Sequence, residues 1–216
     1  MFYFRNEGIL IKEFVTAIHH HLKPLGFKKK KFTFIKSDSN FHQIINFQKS
    51  DFGDNFYINI GIHPVDFPQL LTTTNLNIPH NPKIEDCILF NRIETLKIQE
   101  DSIRIPINDF YDQTDIPTYI TVINNWFKEW SSYKKLANVD SQSICPVLAT
   151  VPILKEKLYL LLKCFSFYKL EQYQDADLYL NQYLNLGVYE NSENESLIEF
   201  PAVDKHIKQL LTEKAM

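Results

Sequence analysis

The sequence predicts an α+β fold. An antiparallel sheet, a three-stranded meander plus one or two further strands, is packed by helices on one face and followed by a C-terminal helical hairpin and a terminal helix. Three observations predict it. Between Phe32 and Ile62, three runs rich in aromatic and β-branched residues are separated by two polar tetrads. Before them, apolar residues recur at helical spacing. From Ile153 onward the patterns are helical. The expected division is a sheet domain over 1–136 and a helical segment over 147–216 packed on it, or one continuous domain.

The first element is an amphipathic helix from about Gly8 to Lys23. Leu10, Phe14, Ala17, Ile18, His21, Leu22 and Leu25 form its apolar stripe, and Pro24 and Gly26 end it. His19, His20 and His21 are consecutive, so on a helix they fan out by about 100° each and cannot converge on one ion. Lys28 to Lys31 then leads into the first strand. Such a run protects a sheet edge by charge, or contacts a phosphate or an acidic partner.

The meander comprises Phe32–Lys36, Phe41–Lys49 and Phe56–Ile62, with turns at Ser37–Asn40 and Asp51–Asp54. If each tetrad closes its hairpin, Phe32, Phe34 and Lys36 lie opposite Ile45, Gln43 and Phe41. Asn46, Gln48, Ile44 and His42 lie opposite Asn59, Tyr57, Gly61 and His63. Side chains alternate faces. One face collects Phe32, Phe34, Phe41, Ile45, Phe47, Phe56, Ile58, Ile60 and Ile62, with Gln43 as the polar intruder. The other collects Thr33, Ile35, His42, Ile44, Asn46, Gln48, Tyr57, Asn59, Gly61 and His63. A slip of one residue would mix the faces, so the register is well specified.

Residues 64–82 carry Pro64, Pro68, Pro79 and Pro82 and read as a long loop. Cys87–Leu96 and Ser102–Ile107 are further strand candidates. Thr114-Asp115 before Pro117 opens a helix expected to reach about Leu136 through Ile116, Ile120, Ile123, Phe127 and Trp130. Residues 137–146 read as a polar loop. Ile153–Tyr168 is nearly apolar throughout, as in a buried helix. Glu171–Leu186 is amphipathic with Gly187 as its C-cap, and Pro201 opens a last helix to about Lys214.

Composition bounds the function. Hydrophobic residues make up 44% of 216, with 17 Phe and 11 Tyr, enough for a real core, and only five Gly exclude a Gly-rich architecture. A formal charge of −3 makes no electrostatic case for nucleic acid or membrane. No run approaches the roughly 18 apolar residues of a membrane span. Cys87, Cys145 and Cys164, odd in number and far apart, read as free thiols in a reducing cytosol.

The candidate binding surface is the polar sheet face with His42, Asn46, Gln48, Tyr57, Asn59 and His63. Amides and imidazoles are a more selective choice than the Lys, Glu and Thr of a purely solvated face. His42 and His63 lack the further ligands a metal site needs. No nucleophile–base pair or metal motif stands out, so no catalytic residue, cofactor or metal is expected. The alternative is a metal-dependent nuclease or other phosphate-acting enzyme built on Asp54, Gln48 and Lys49, although adjacent Gln48 and Lys49 point to opposite faces.

Leu25-Gly26-Phe27-Lys28-Lys29-Lys30, Ile45-Asn46-Phe47-Gln48-Lys49-Ser50 and Ile58-Asn59-Ile60-Gly61-Ile62 together resemble the bacterial family catalogued as domain of unknown function 4304. The resemblance spans about residues 8–63 and carries over Asn46, Gln48, Lys49, Ser50, Asn59 and Gly61. It adds Lys49 and Ser50 to the binding candidates. It implies no established activity. Because some members sit near toxin genes, it also implies a toxin-neutralising (immunity) role with a protein partner.

Overall fold

The computed structural model describes residues 7–49, 55–70, 75–93, 105–106, 116–188 and 197–214. The chain divides into two units, Met1–His63 with Lys83–Glu129, and Pro64–Pro82 with Trp130–Met216. Ser50, Asp54, the turn 51–54 and the helix start Thr114-Asp115 lie outside the described residues.

The first unit holds a six-stranded sheet: β1 (Lys28–Lys30), β2 (Thr33–Ser37), β3 (Phe41–Lys49), β4 (Asn55–Pro64), β5 (Leu89–Arg92) and β6 (Ile105–Pro106). β1 to β5 lie side by side in chain order, and β6 pairs with β4 at Asn55 and Phe56. The β2–β3 register sets Phe34 opposite Ile45, Lys36 opposite Gln43 and Ser37 opposite His42. This is two residues away from the expected pairing, and the turn explains it. The Asp38 carboxylate accepts from the amides of Asn40 (2.7 Å) and Phe41 (2.8 Å), which carries β2 on to Ser37. A shift of two preserves parity, so both faces keep their members.

Most of the apolar face is buried as expected: Phe34, Phe41, Ile45, Phe47, Phe56, Ile58, Ile60 and Ile62 are all in the core, whereas Phe32, in the turn between β1 and β2, is only half-buried. The face is covered by α1 (Glu7–Leu22) and α2 (Ile116–Trp130). Phe14 of α1 stands edge-on to Phe47 at 5.9 Å, tilts against Phe56 at 5.3 Å and meets Tyr119 of α2 at 6.0 Å. Phe27 packs on Phe127 at 5.7 Å. The buried stripe of α1 is Ile11, Phe14, Val15, Ile18 and Leu22. His21 and Leu25, expected in that stripe, are exposed: Ile11 and Val15 turn inward instead, and Leu25 lies beyond the helix in the following 3-10 turn. A 3-10 turn at Lys23–Leu25 ends the helix. Gly26 follows at φ 91°, where its missing Cβ avoids strain, and donates to the Lys23 carbonyl.

The second unit contains α3 (Tyr133–Asn138), α4 (Ser141–Ile144), α5 (Lys155–Lys169), α6 (Tyr173–Asn185) and α7 (Pro201–Lys214). The helix expected to run to Leu136 stops at Trp130. Ser132 is extended and its hydroxyl accepts from the Lys135 amide, so a new helix starts there. The expected polar loop after it contains α4, capped by Asp140, which accepts from both the amide and the hydroxyl of Ser143. α6 ends on extended Leu186 rather than on Gly187.

α5 is buried on most sides and packs Phe165 against Phe67 (5.2 Å) and Tyr133 (6.2 Å). Its two buried lysines are satisfied differently. Lys157 donates to the Leu186 carbonyl at 2.9 Å and lies over the Tyr183 ring. Burial depresses its pKa against the pull of Asp204 and Glu199. Lys163 is also desolvated, but the Tyr179 and Tyr159 hydroxyls outweigh burial and raise its pKa. Tyr183 donates to Asp204 at 2.8 Å, tying α6 to α7. Among the described residues, no helix is long and apolar enough to cross a membrane.

Phe14→Ala should destabilise the sheet unit by about 3–5 kcal/mol in denaturant unfolding. Cys87 and Cys164 are buried, and burial followed by the Asp177 charge pushes the Cys164 thiol up to about 12, whereas Cys145 is half-exposed. Native thiol titration should therefore show one fast equivalent, with the other two released on denaturation.

Candidate functional site

The outer sheet face is built by register. Lys28 and Lys30 of β1 lie opposite Ile35 and Thr33, and Phe90 and Arg92 of β5 lie opposite Gly61 and Asn59. Cross-strand partners share a face. The amides form cross-strand pairs: Asn46 Nδ2 donates to Thr33 Oγ1 at 3.0 Å, and Asn59 Nδ2 donates to Gln48 Oε1 at 3.0 Å. Beside them the Arg92 guanidinium lies 4.0 Å above the Tyr57 ring.

One end of this face is roofed. A 3-10 turn at Ile84–Asp86 and the following Cys87 lie over Gly61. A Cβ on Gly61 would sit 2.6 Å from Cys87 Sγ and 2.9 Å from Ile84 Cδ1, so only glycine admits the roof at this approach. His63 is fully buried and its Nδ1 donates to the Asp86 carbonyl at 2.9 Å. Ile44, on the same face, is fully buried too. The roof turn is closed by Asp86, which accepts from the Lys83 amide, and joined to the sheet by Ile88, which donates to the Ile62 carbonyl.

The sequence-predicted residues therefore separate. His63 is sealed under the roof, while His42 is half-exposed and hydrogen-bonded to Ser37 at 2.8 Å. Among the described residues no group of three His, Cys, Asp or Glu is placed to hold a metal. Asn46 and Tyr57 are half-exposed, Gln48 and Lys49 are exposed, and Asn59 is 2% exposed. Among the described residues, the buried Oδ1 of Asn59 has no hydrogen-bond partner. Asn46, Gln48 and Tyr57 thus stay accessible at the open end, whereas Asn59, expected on the binding surface, is buried and reaches that end only through its hydrogen bond to Gln48. Arg92, absent from the sequence-based set, joins them there. Strand alternation was legible around it, but the long connection from β4 leaves its pairing with Asn59 undefined in the sequence.

Among the described residues the open end carries cations. The described strand residues of the outer face include Lys28, Lys30 and Arg92 and no carboxylate. Among the described residues, carboxylates reach this face from the roof, where Glu85 pairs with Lys83 at 3.6 Å.

Gly61→Ala should destabilise the fold by about 1–3 kcal/mol, since the roof must shift. Cys87→Ala in that background should restore only part of the loss, because its Cβ stays 2.8 Å from the added methyl group. A double-mutant cycle by denaturant unfolding reads the coupling.

No curated protein and no solved structure matches the chain. Residues 18–149, more than half of the chain, match the family described as Domain of unknown function (DUF4304), and the chain belongs to that family.

Proposed function

We propose that this chain is a non-enzymatic binding protein that takes an acidic protein partner on the open end of its outer sheet face. The observation that carries the reading is the Tyr57–Arg92 stack beside the Gln48–Asn59 amide pair. Tyr and Arg, with Trp, are the side chains enriched at the energetic centre of protein interfaces. These side chains are also held by mutual contacts, so little rotamer freedom is left to lose on binding. An arginine fork pairs with a carboxylate through two parallel hydrogen bonds, and Lys28 and Lys30 add positive charge farther along the same face. The toxin-neutralising character of the partnership rests on the family resemblance.

The test is affinity capture from the native host, with wild-type chain and the Gln48→Ala/Arg92→Ala variant as baits, followed by titration of the purified partner. The variant should weaken binding by about 30-fold or more. Equal affinity, or capture of nothing by the wild type, overturns the reading.

A further inference from the structure

A second surface lies on the other side of the same unit, where α1 meets the β1–β2 hairpin. Lys12, Val15, Thr16, Lys29, Lys31 and Phe32 line a cleft of about 420 Å³ there. That volume falls in the range of about 300–1,000 Å³ usual for small-molecule sites. Its floor is apolar, with buried Val15 and half-buried Phe32. Its rim carries exposed ammonium groups from two elements that sequence distance keeps apart.

Edge protection explains lysines on β1 in general, but it does not explain this convergence. Lys29 lies opposite Phe34 and so shares the face that α1 covers. Its Nζ stands 6.0 Å from the Phe34 ring centroid. Lys31 is the first residue of the two-residue turn closed by Lys30 and Thr33, and it sits at φ 56°. That left-handed position favours Gly, Asn or Asp, and a lysine holds it only under backbone strain. Strain retained at one residue points to a use for its side chain. Among the described residues, Lys12, Lys29 and Lys31 take part in no ion pair. The field is felt nearby: burial, then Lys29, Lys23 and His20, lowers the pKa of His19.

We propose that this cleft binds a nucleotide, with its phosphates held by Lys12, Lys29 and Lys31 and its base laid on Phe32. Three mobile point charges suit a polyphosphate chain better than a single planar carboxylate. The half-buried ring offers the flat apolar surface on which any base stacks.

The test is fluorescence anisotropy of N-methylanthraniloyl-ATP titrated with the full chain at low salt. Saturable binding is expected, displaced by ATP more effectively than by inorganic tripolyphosphate, which lacks the base. Lys12→Gln/Lys31→Gln should weaken it by at least about tenfold. Lys31→Gly is the decisive variant: it removes charge and strain together, so affinity should fall while the melting temperature rises. Gln48→Ala/Arg92→Ala should leave nucleotide binding unchanged, which separates this site from the outer-face partner site. Three outcomes overturn the proposal: no saturable binding, binding that Lys31→Gly leaves intact, or displacement by single-stranded RNA at lower nucleotide concentration than by ATP.

Discussion

The sheet unit depends on one constraint, the strict alternation of side chains along β2, β3 and β4 about the ring of Phe14. Phe47, Phe56 and Tyr119 meet that ring from three elements. Because α1 supplies the ring and α2 supplies Tyr119, the two helices and the sheet share one cluster. Each large side chain buried there contributes about 1.5–3 kcal/mol, an upper figure since the unfolded chain is itself partly collapsed. The outer face is a consequence of this core, because every residue between two inward phenylalanines or isoleucines must point out.

What that outer face becomes is decided by a short roof. Gly61 has no Cβ, so Cys87 and Ile84 can lie against the β4 backbone. This closes the end holding Ile44 and His63 and leaves the amides, Tyr57 and Arg92 at the other end. The buried Oδ1 of Asn59 marks the border. Its cost, of the order of 1–3 kcal/mol, is tolerated beside a surface that presents hydrogen-bonding groups outward.

The helical unit solves a different problem, which is how to bury a helix that carries lysines. Lys157 and Lys163 reach backbone carbonyls with their ammonium groups while their stems and charges lie against Tyr183, Tyr159 and Tyr179. Aromatic faces and carbonyl dipoles replace the water each ammonium group gives up. The abundance of tyrosine in this chain thus has a structural role in α5 and α6, apart from any binding surface.

Alternation in β2–β4, the helical spacing in α1 and α5, and the polar tetrad at Asp38 were all legible in the residues themselves. Each is a pattern repeated within a few positions, and parity survived even a two-residue shift in hairpin register. The break between α2 and α3 turned on a single serine cap, a weak local feature overshadowed by the continuous apolar stripe around it. Folding alone decided the roof over Gly61, the arrival of Arg92 beside Asn59 and the packing of α1 against the β1–β2 hairpin at the cleft that Lys12 and Lys31 share. Those contacts join residues far apart along the chain, and local periodicity carries no information about which distant segment closes on which.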